Sequence, residues 1–292
     1  MPVLDTEQGH ILGQIGAILA QANQGELLAL HVQRVPQQLT LGEGRLFLKE
    51  GRGYLDIVIQ EAKKREVPVH SIIRLGRHVA DAIRQTAIEN ASDLILLGWH
   101  GDTSTVERFF GQVIDPLVSD PPTDLALVRH RVYRLLKSIL VPVAGGPNNR
   151  LAVKLAVQMA RLGETTVKVV LLHVVAPSAT TADHVRAAQV FRDDLEGLEY
   201  SHLEKRVVEG THIAETILEQ AKESQLIVIG ATEEPILRNL MMGNIAEQVA
   251  RKAPMTVIMV KRRTSPLHSF LRQTVLEPAR KTELVGEVTD VV

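Results

Sequence analysis

The chain has 292 residues, of which 45% are hydrophobic and 23% charged, a length and balance typical of about two folded globular domains. A formal net charge of -1 and an aromatic content of 3% argue against a surface that binds nucleic acid through phosphates or stacked bases. Cysteine is absent, which excludes disulfides, thiolate catalysis and cysteine-ligated zinc. No apolar run approaches the ~20 residues that span a bilayer and the opening residues do not resemble a signal sequence, so we expect a cytoplasmic protein.

Helix and strand patterns alternate from the N-terminus. Apolar residues with helical spacing predict two early helices, at Ile11, Ile15, Ile18 and Leu19 and then at Leu48, Leu55, Val58, Ile59 and Ala62. Short apolar runs typical of strands buried on both faces occupy residues 27–32, 67–73, 94–97 and 125–128. This alternation predicts crossover units around an open parallel sheet with helices on both faces.

The whole pattern occurs twice, in register. Residues 1–3 match 141–143, Leu30-His31-Val32 matches Leu172-His173-Val174, and residues 93–98 match 225–230. We therefore predict one domain over residues 1–130, a second over 131–263, and a C-terminal tail over 264–292 that is mobile or docks elsewhere. The short, basic join between His130 and Lys137 contains no glycine or proline run, which favours domains that pack together.

Two glycine-containing loops are the candidate ligand sites, because open parallel sheets bind ligands beyond the carboxyl ends of their strands. In the first copy, strand four is followed by Gly98 and Gly101, then by Gly111 and Gln112, where a helix is predicted to begin. Glycines and a helix N-terminus favour a phosphate. The second copy has Gly230, Gly243 and Asn244, but Glu233 stands where the first copy has Gly101 and would repel a phosphate.

The order of elements around this loop resembles the universal stress protein family. It consists of a strand, Gly-x-x-Gly, nine residues, Gly and a small polar residue, and then a helix and a closing strand. The resemblance extends to the Ile139-Leu140-Val141-Pro142 strand and covers nearly all of residues 1–263. It implies two five-stranded parallel sheets, each of strand order 3-2-1-4-5, with the adenine-nucleotide α-hydrolase-like fold. It also implies dimers formed through the last strand, which points to edges at residues 125–128 or 255–260.

The resemblance further implies a site for ATP or AMP, built from the loop glycines and a Ser or Thr after the last one; Gln112 and Asn244 stand there. Family members that bind nucleotide carry an Asp just past the first strand, where this chain has Leu4 and Ala144. Asp5, one residue along, is a substitute in the first copy. We expect nucleotide binding in the first copy rather than in the second, and a need for Mg²⁺ stays open.

Several further residues have competing interpretations. His31 and His173 end equivalent strands and favour core packing over metal binding, while His78 and His212 favour helix capping or exposure. His100, inside the glycine loop, is the histidine expected near a ligand. Trp99 could cover a nucleotide base or fill the interface between the domains, and we favour the interface. Met241 and Met242 match Phe109 and Phe110, and these four residues are interpreted as packing beneath the loop.

The first strand of the first copy is short, since only Met1-Pro2-Val3 matches a strand that begins at Ser138 in the second copy. By the family's strand order this strand is central, and a stub there would leave neighbouring backbone groups unpaired. We expect that the piece belongs to a longer protein. The resemblance suggests the cytoplasmic C-terminal region of an amino-acid permease or cation transporter, with a naturally short strand as the alternative.

The leading functional hypothesis is a regulatory or sensing module, not an enzyme, that binds an adenine nucleotide in its first copy and signals through contacts between domains or protomers of a homodimer. The alternative is a structural role, in which the domains dimerise and stabilise a transporter with both pockets empty. An ATP hydrolase would need Asp5, His100 and Asp102 as its chemical groups and is the least favoured reading.

Overall fold

Helices and strands alternate along the chain as the apolar periods predict. The computed structural model describes residues 1–38, 40, 48–101, 110–131, 135–163, 165–231 and 244–263. The elements of the first copy are α1 (Thr6–Ala22), β1 (Leu27–Arg34), α2 (Leu48–Lys63), β2 (Val69–Gly76), α3 (Val79–Glu89), β3 (Leu94–Gly98), α4 (Ile114–Ser119) and β4 (Asp124–Arg129). Those of the second copy are β5 (Ser138–Pro142), α5 (Pro147–Arg161), β6 (Lys168–Val175), α6 (Thr181–Asp194), β7 (Leu203–Glu209), α7 (Ile213–Gln220), β8 (Leu226–Gly230), α8 (Asn244–Lys252) and β9 (Thr256–Lys261).

The second copy forms a five-stranded parallel sheet with β5 at its centre. The strands lie in the order β7-β6-β5-β8-β9, and every neighbouring pair is parallel. Counted within the copy, this is the order 3-2-1-4-5. The strand order reverses at β5, so the carboxyl ends of β5 and β8 flank the crevice in which such sheets bind ligands.

The first copy departs from the expected five-stranded sheet. Its first strand is reduced to a single bridge between Pro2 and Leu30, and the described strands fall into two groups, β1 with β2 and β3 with β4. Both pairs are parallel. The prediction of a complete sheet is wrong here because the stub is too short to pair with β1 and β3 together.

The two copies are joined through their last strands. β4 and β9 pair antiparallel from Leu125 opposite Lys261 to Arg129 opposite Val257, which produces one seven-stranded sheet of order β3-β4-β9-β8-β5-β6-β7. The expectation that residues 125–128 or 255–260 offer free edges for a dimer is therefore wrong. Each strand already covers the other, so neither offers an unpaired edge.

Both large hydrophobic cores contain residues of the two copies, one on each face of the seven-stranded sheet. One core contains Leu127 and Met259, and the other contains Val128 and Val260. Helix α1 adds Leu12 to the second core, which also holds the apolar face of α5. Residues Met1–Arg262 consequently form one compact unit, and the predicted packing of the copies against each other is confirmed. The boundary at residue 130 stays a prediction.

Candidate functional site

Each copy places a buried amide side chain near the end of its fourth strand, against Gly98 in the first copy and in a hydrogen bond to Ala231, the residue after Gly230, in the second. In the first copy this residue is Gln8, on the first turn of α1, and in the second it is Asn148, on the first turn of α5. Gln8 and Asn148 occupy matching positions of the repeat, because they follow Pro2 and Pro142 at the same distance and these two prolines pair with equivalent residues. Both side chains are more than nine-tenths buried. The crevice at the carboxyl ends of the strands is thus lined by the helix that follows the first strand.

In the first copy, Gln8 belongs to a small polar cluster with Asp5 and His100. Asp5 is the N-cap of α1, and its Oδ1 accepts a hydrogen bond from the Gln8 backbone amide at 2.8 Å. Gln8 Nε2 lies 3.3 Å from His100 Nδ1, and His100 Nε2 lies 3.7 Å from Asp5 Oδ2. With Gln8 as donor, His100 Nδ1 accepts, and the hydrogen on Nε2 faces the carboxylate. Asp5 and His100, which the sequence named separately as candidate ligand residues, thus lie close together.

The glycines of the first-copy loop are required by close packing as well as by any ligand. A Cβ on Gly98 would lie 2.9 Å from Gln8 Cδ. Gly101 has φ +88°, and a Cβ there would lie 2.6 Å from Arg129 Nε. Gly111 also has a positive φ, of 100°. These positions therefore need glycine for the fold itself.

The end of this loop was predicted to hold a phosphate at the N-terminus of a helix that begins near Gln112, and the helix found there differs from this prediction. Helix α4 begins at Ile114, two residues beyond Gln112, and is only six residues long. Its first turn contains the buried Asp115, whose Oδ1 accepts the Phe110 amide at 2.9 Å. Glu247, at the matching position of α8, is also buried. Carboxylates already occupy both helix starts, so the α4 dipole contributes little to anion binding.

In the second copy, the Asn148 side chain bonds to the backbone at the carboxyl ends of the last two strands. Its Nδ2 donates to the Ala231 carbonyl at 2.8 Å, and its Oδ1 accepts the Arg262 backbone amide at 2.8 Å. The end of β8 is equally tight, since a Cβ on Gly230 would lie 2.8 Å from the Asn148 carbonyl carbon. The helix start and the strand end are thereby fastened together. Gly243, Glu233 and Asp102 lie outside the described residues, as does the side chain of Asn244.

Arg129 connects the first-copy loop to the second copy. It lies at the end of β4, and its Nη1 donates to the carbonyls of Ala250 and Arg251 in the last turn of α8. Its guanidinium carbon is 5.7 Å from the centre of the Trp99 ring, which meets Phe110 edge to face at 4.9 Å. Trp99 is buried against Arg129 and Phe110 of its own copy, and the interface role favoured from the sequence stays a prediction.

A comparison with protein-family models finds the universal stress protein family at residues 2–129 and again at 136–261. These two matches account for most of the chain. The chain belongs to the universal stress protein family. It is a tandem member, with two family domains in one polypeptide.

Solved structures similar to this tandem universal stress protein agree on the fold. A universal stress protein from Archaeoglobus fulgidus superimposes with a TM-score of 0.63 and 18% identity, over 90% of this chain and 95% of its own. A Pseudomonas aeruginosa protein of unknown function gives a TM-score of 0.56 and 16% identity, over 88% and 89%. At these identities the likeness shows the fold alone.

A curated relative is a Na⁺/H⁺ antiporter, NhaS5, from Synechocystis. It is 22% identical over 266 residues, which are 89% of this chain and 37% of the antiporter. The tandem universal stress protein thus spans little more than a third of that relative. Within the described residues, no helix has the length and apolar character needed to cross a membrane.

The paired histidines of the two universal stress protein domains complete the core, as the sequence favours. His31 Nδ1 lies 2.9 Å from the Val3 carbonyl, and His173 Nδ1 lies 2.8 Å from the Val143 carbonyl. Each imidazole therefore donates to the end of its domain's first strand. His78 and His212 occupy the N-cap positions of α3 and α7, are exposed, and make no side-chain cap hydrogen bond.

A buried acid lies beside the loop that follows β5. Asp194, the last residue of α6, is 1% exposed. Burial raises the pKa of Asp194 to about 6, and Asp193 adds to the rise, whereas Arg150 and the Gly145 amide act in the opposite sense. At neutral pH this carboxylate is charged and poorly solvated, which further disfavours a phosphate in the second domain.

Replacing Asp194 with Asn is expected to raise the free energy of unfolding at pH 7 by about 2 kcal/mol. The folded-state pKa lies above the unfolded one, so the native state holds the proton more tightly and the wild type loses stability as pH rises from about 4 to about 6. Urea denaturation across this range measures the effect. Asp193→Asn is the neighbouring control, and equal pH profiles for wild type and Asp194→Asn would contradict the prediction.

A cavity of about 510 Å³ lies away from these loops. It is bounded by the Ile11 and Ile15 face of α1, by Glu61 of α2, and by the first residues of β8 and β9, Leu226 and Thr256. It is therefore at the amino ends of the second domain's strands. The residues that the sequence singled out for binding do not line it.

Proposed function

We propose that this chain is a non-catalytic regulatory module that binds an adenine nucleotide in its first domain and uses its second domain as a scaffold. The observation that carries the proposal is the difference between the two crevices. In the first, Asp5 and His100 face each other with side chains 40% and 63% exposed. In the second, Asn148 fastens the loop after β8 to the start of α5.

The chemistry of the first crevice suits a nucleotide. The half-exposed Asp5 carboxylate, whose Oδ2 faces His100, can accept a ribose hydroxyl or the adenine amino group, in the role that the family gives to an Asp near this position. His100 offers a hydrogen-bond donor to a phosphate, and the N-terminus of the 17-residue helix α1 begins immediately after Asp5. Gly98, Gly101, Gly111 and Gln112 would complete the loop around the ligand.

Regulation rather than hydrolysis is supported by the chemistry at hand. Asp5 is already engaged as a helix cap, and the described part of the chain contains no group of three or more acidic and histidine side chains able to hold a metal. A link to a cation antiporter is part of the proposal because NhaS5 contains a region similar to most of this chain. That link, a homodimer, a cytoplasmic location, and the choice between ATP and AMP all stay predictions.

The test is a titration of the purified chain with ATP, AMP, cyclic AMP and cyclic dinucleotides, with and without Mg²⁺. Trp99 is the only tryptophan and lies beside the loop, so its emission reports binding, while thermal melting reports mass-action stabilisation. We expect a bound nucleotide to raise the melting temperature by several degrees at about 100 times its Kd. Gly101→Glu is unsuitable as a binding variant, because its side chain would collide with Arg129.

Asp5→Asn and His100→Gln are the sharper variants. Asparagine is also a good N-cap, so Asp5→Asn removes the charge while keeping the helix start. Both substitutions are expected to weaken nucleotide binding at least tenfold, whereas His184→Gln, at an exposed histidine of α6, leaves it unchanged. No response to any nucleotide would favour the purely structural role, which the backbone contacts of Asn148 and the continuous sheet also support.

A further inference from the structure

The cavity of about 510 Å³ at the amino ends of β8 and β9 is shared by the two domains. The first domain contributes the face of α1 that carries Ile11, Ile15 and Ile18, and the second contributes Met159 of α5 and Leu226 of β8. Ile15 and Met159 belong to one hydrophobic core, so the cavity adjoins packed apolar side chains. Its volume suits a small organic molecule, since sites for such ligands measure about 300 to 1,000 Å³.

Glu61 of α2 is an acidic side chain in the cavity wall, and its charge is already compensated. Lys64 Nζ lies 2.8 Å from Glu61 Oε1 and 2.9 Å from Oε2, and His10 Nδ1 lies 2.9 Å from Oε1. Burial alone would raise the pKa of Glu61, but the hydrogen bonds with Lys64 and His10 outweigh it and lower the pKa below its usual value. Glu61 is therefore ionised at neutral pH and forms a neutral pair with Lys64.

Arg65, next to this pair in the cavity wall, has no such compensation. Its Nη1 donates to Gln21 Oε1 in α1 and to the carbonyl of Leu162, the C-cap of α5, both at 3.2 Å. These contacts hold the guanidinium in place. Among the residues whose positions are described, no carboxylate lies within ion-pair distance of Arg65, and its Nε and Nη2 form no hydrogen bond. Such a guanidinium edge can bind a carboxylate through two parallel hydrogen bonds.

The other polar groups of the wall leave Arg65 as the group that selects a ligand. Burial lowers the pKa of His130, with Glu7 acting in the opposite sense, so the imidazole is uncharged at neutral pH. Gln225 Oε1 already accepts the backbone amides of Lys137 and Ser138 at 3.0 and 2.9 Å. An apolar cavity beside an uncompensated guanidinium favours an anion with an apolar body, and it disfavours a cation or a ligand with several charges.

We propose that this cavity binds an organic monocarboxylate with a compact apolar body. The carboxylate pairs with the Nε and Nη2 edge of Arg65, and the body contacts Ile15, Ile18 and Met159. The site is separate from the proposed nucleotide crevice, which lies at the opposite ends of the strands. Helix α1 connects the two, because it begins after Asp5 and passes the cavity a few turns later. Since both domains supply its walls, a bound carboxylate would stabilise their contact.

The experiment titrates the full chain with phenylbutyrate and with its neutral amide, phenylbutyramide, which share one apolar body and differ in charge. Calorimetry measures the affinity, and the NMR signal of the isotope-labelled Met159 methyl group reports the position, because an aromatic ring beside a methyl group shifts its resonance. We expect both compounds to shift the Met159 signal. Phenylbutyrate is expected to bind about tenfold more tightly than the amide, or better.

Arg65→Gln is expected to lower the affinity for phenylbutyrate to that for the amide. The affinity for the amide should stay unchanged, which shows at the same time that the variant is folded. Arg161→Gln is the matched control, since Arg161 of α5 also donates to a backbone carbonyl, that of Glu199, but does not line the cavity. It should leave both affinities unchanged. Ile18→Trp fills the cavity and should abolish binding of both compounds.

Equal affinities of the wild type for the two compounds, an absence of binding, or an unshifted Met159 signal would overturn the proposal. An equal loss in Arg65→Gln and Arg161→Gln would also overturn it, because net charge rather than the Arg65 edge would then set the affinity. Asp5→Asn, which is expected to weaken nucleotide binding, should leave phenylbutyrate binding unchanged. A loss in that variant would place the compound in the nucleotide crevice and contradict a separate site.

Discussion

Arg129→Met is expected to lower the free energy of unfolding by about 3 kcal/mol, because the buried Arg129 guanidinium of the first domain donates to two backbone carbonyls of the second. Arg129 is 4% exposed and donates to the carbonyls of Ala250 and Arg251 at the end of α8. Terminal helix carbonyls have no partner within their own helix, so they depend on such a donor. Methionine fills much of the volume but supplies no donor and loses the contact with the Trp99 ring.

Urea denaturation measures this loss, and the emission of Trp99 should change in the folded variant. Arg262→Met is the matched control, since Arg262 reaches Asp124 at 3.4 Å with a side chain that is 51% exposed. Such an exposed pair contributes about 0 to 1 kcal/mol. If Arg129→Met proved as mild as Arg262→Met, Arg129 would not be a structural link between the domains.

The architecture of the second domain could be predicted from the sequence because each of its elements is long enough to carry its own apolar period. The repeat and the family resemblance together led to the order found for β5 to β9. The pairing of β4 with β9 could not be derived in the same way. The sequence showed two edge strands of suitable type, 125–128 and 255–260, but no local pattern states that they cover each other rather than a second molecule.

The candidate site was predicted only in part. The glycine positions follow from the strand ends, and the sequence named Asp5 and His100 separately as candidates, without indicating that they lie together. Gln8 and Asn148 were missed, because an amide near a helix start usually reads as a solvated residue. Their matching positions in the repeat were the available signal, since two buried amides at equivalent sites indicate a shared packing role. Arg129 carried no signal, as its partners are backbone carbonyls 121 and 122 residues away.

The tandem arrangement has a consequence for regulation. A homodimer of single domains must use two identical crevices, whereas one chain with two domains lets each crevice change separately. Here Asn148 of the second domain binds the Ala231 carbonyl and the Arg262 amide, while the first domain keeps an accessible pair in Asp5 and His100. Arg129, packed against Gly101 of the first-domain loop, contacts α8 of the second domain. A ligand at that loop would therefore act close to the contact between the domains.

Gly98 and Gly230 end matching strands, and they allow a direct comparison of how tightly each strand end packs against the following helix. Gly230→Ala is expected to lower the free energy of unfolding by about 3 kcal/mol, and Gly98→Ala by about 1 kcal/mol. At Gly230 the new Cβ would lie 2.8 Å from the Asn148 carbonyl carbon and 2.9 Å from the Asn149 nitrogen, which are backbone atoms at the start of α5. At Gly98 the obstacle is the side-chain amide of Gln8, at 2.9 Å, which can rotate away.

Double variants separate these causes, with urea denaturation as the measurement. Gln8→Ala combined with Gly98→Ala should show little further loss beyond Gln8→Ala alone, because the obstructing amide is gone. Asn149→Ala combined with Gly230→Ala should keep most of the Gly230→Ala loss, because the backbone contact remains although Asn149 Oδ1, 2.5 Å from the new Cβ, is removed. If Asn149→Ala removed the stability loss of Gly230→Ala as fully as Gln8→Ala removes that of Gly98→Ala, that result would mean that α5 can move away from β8.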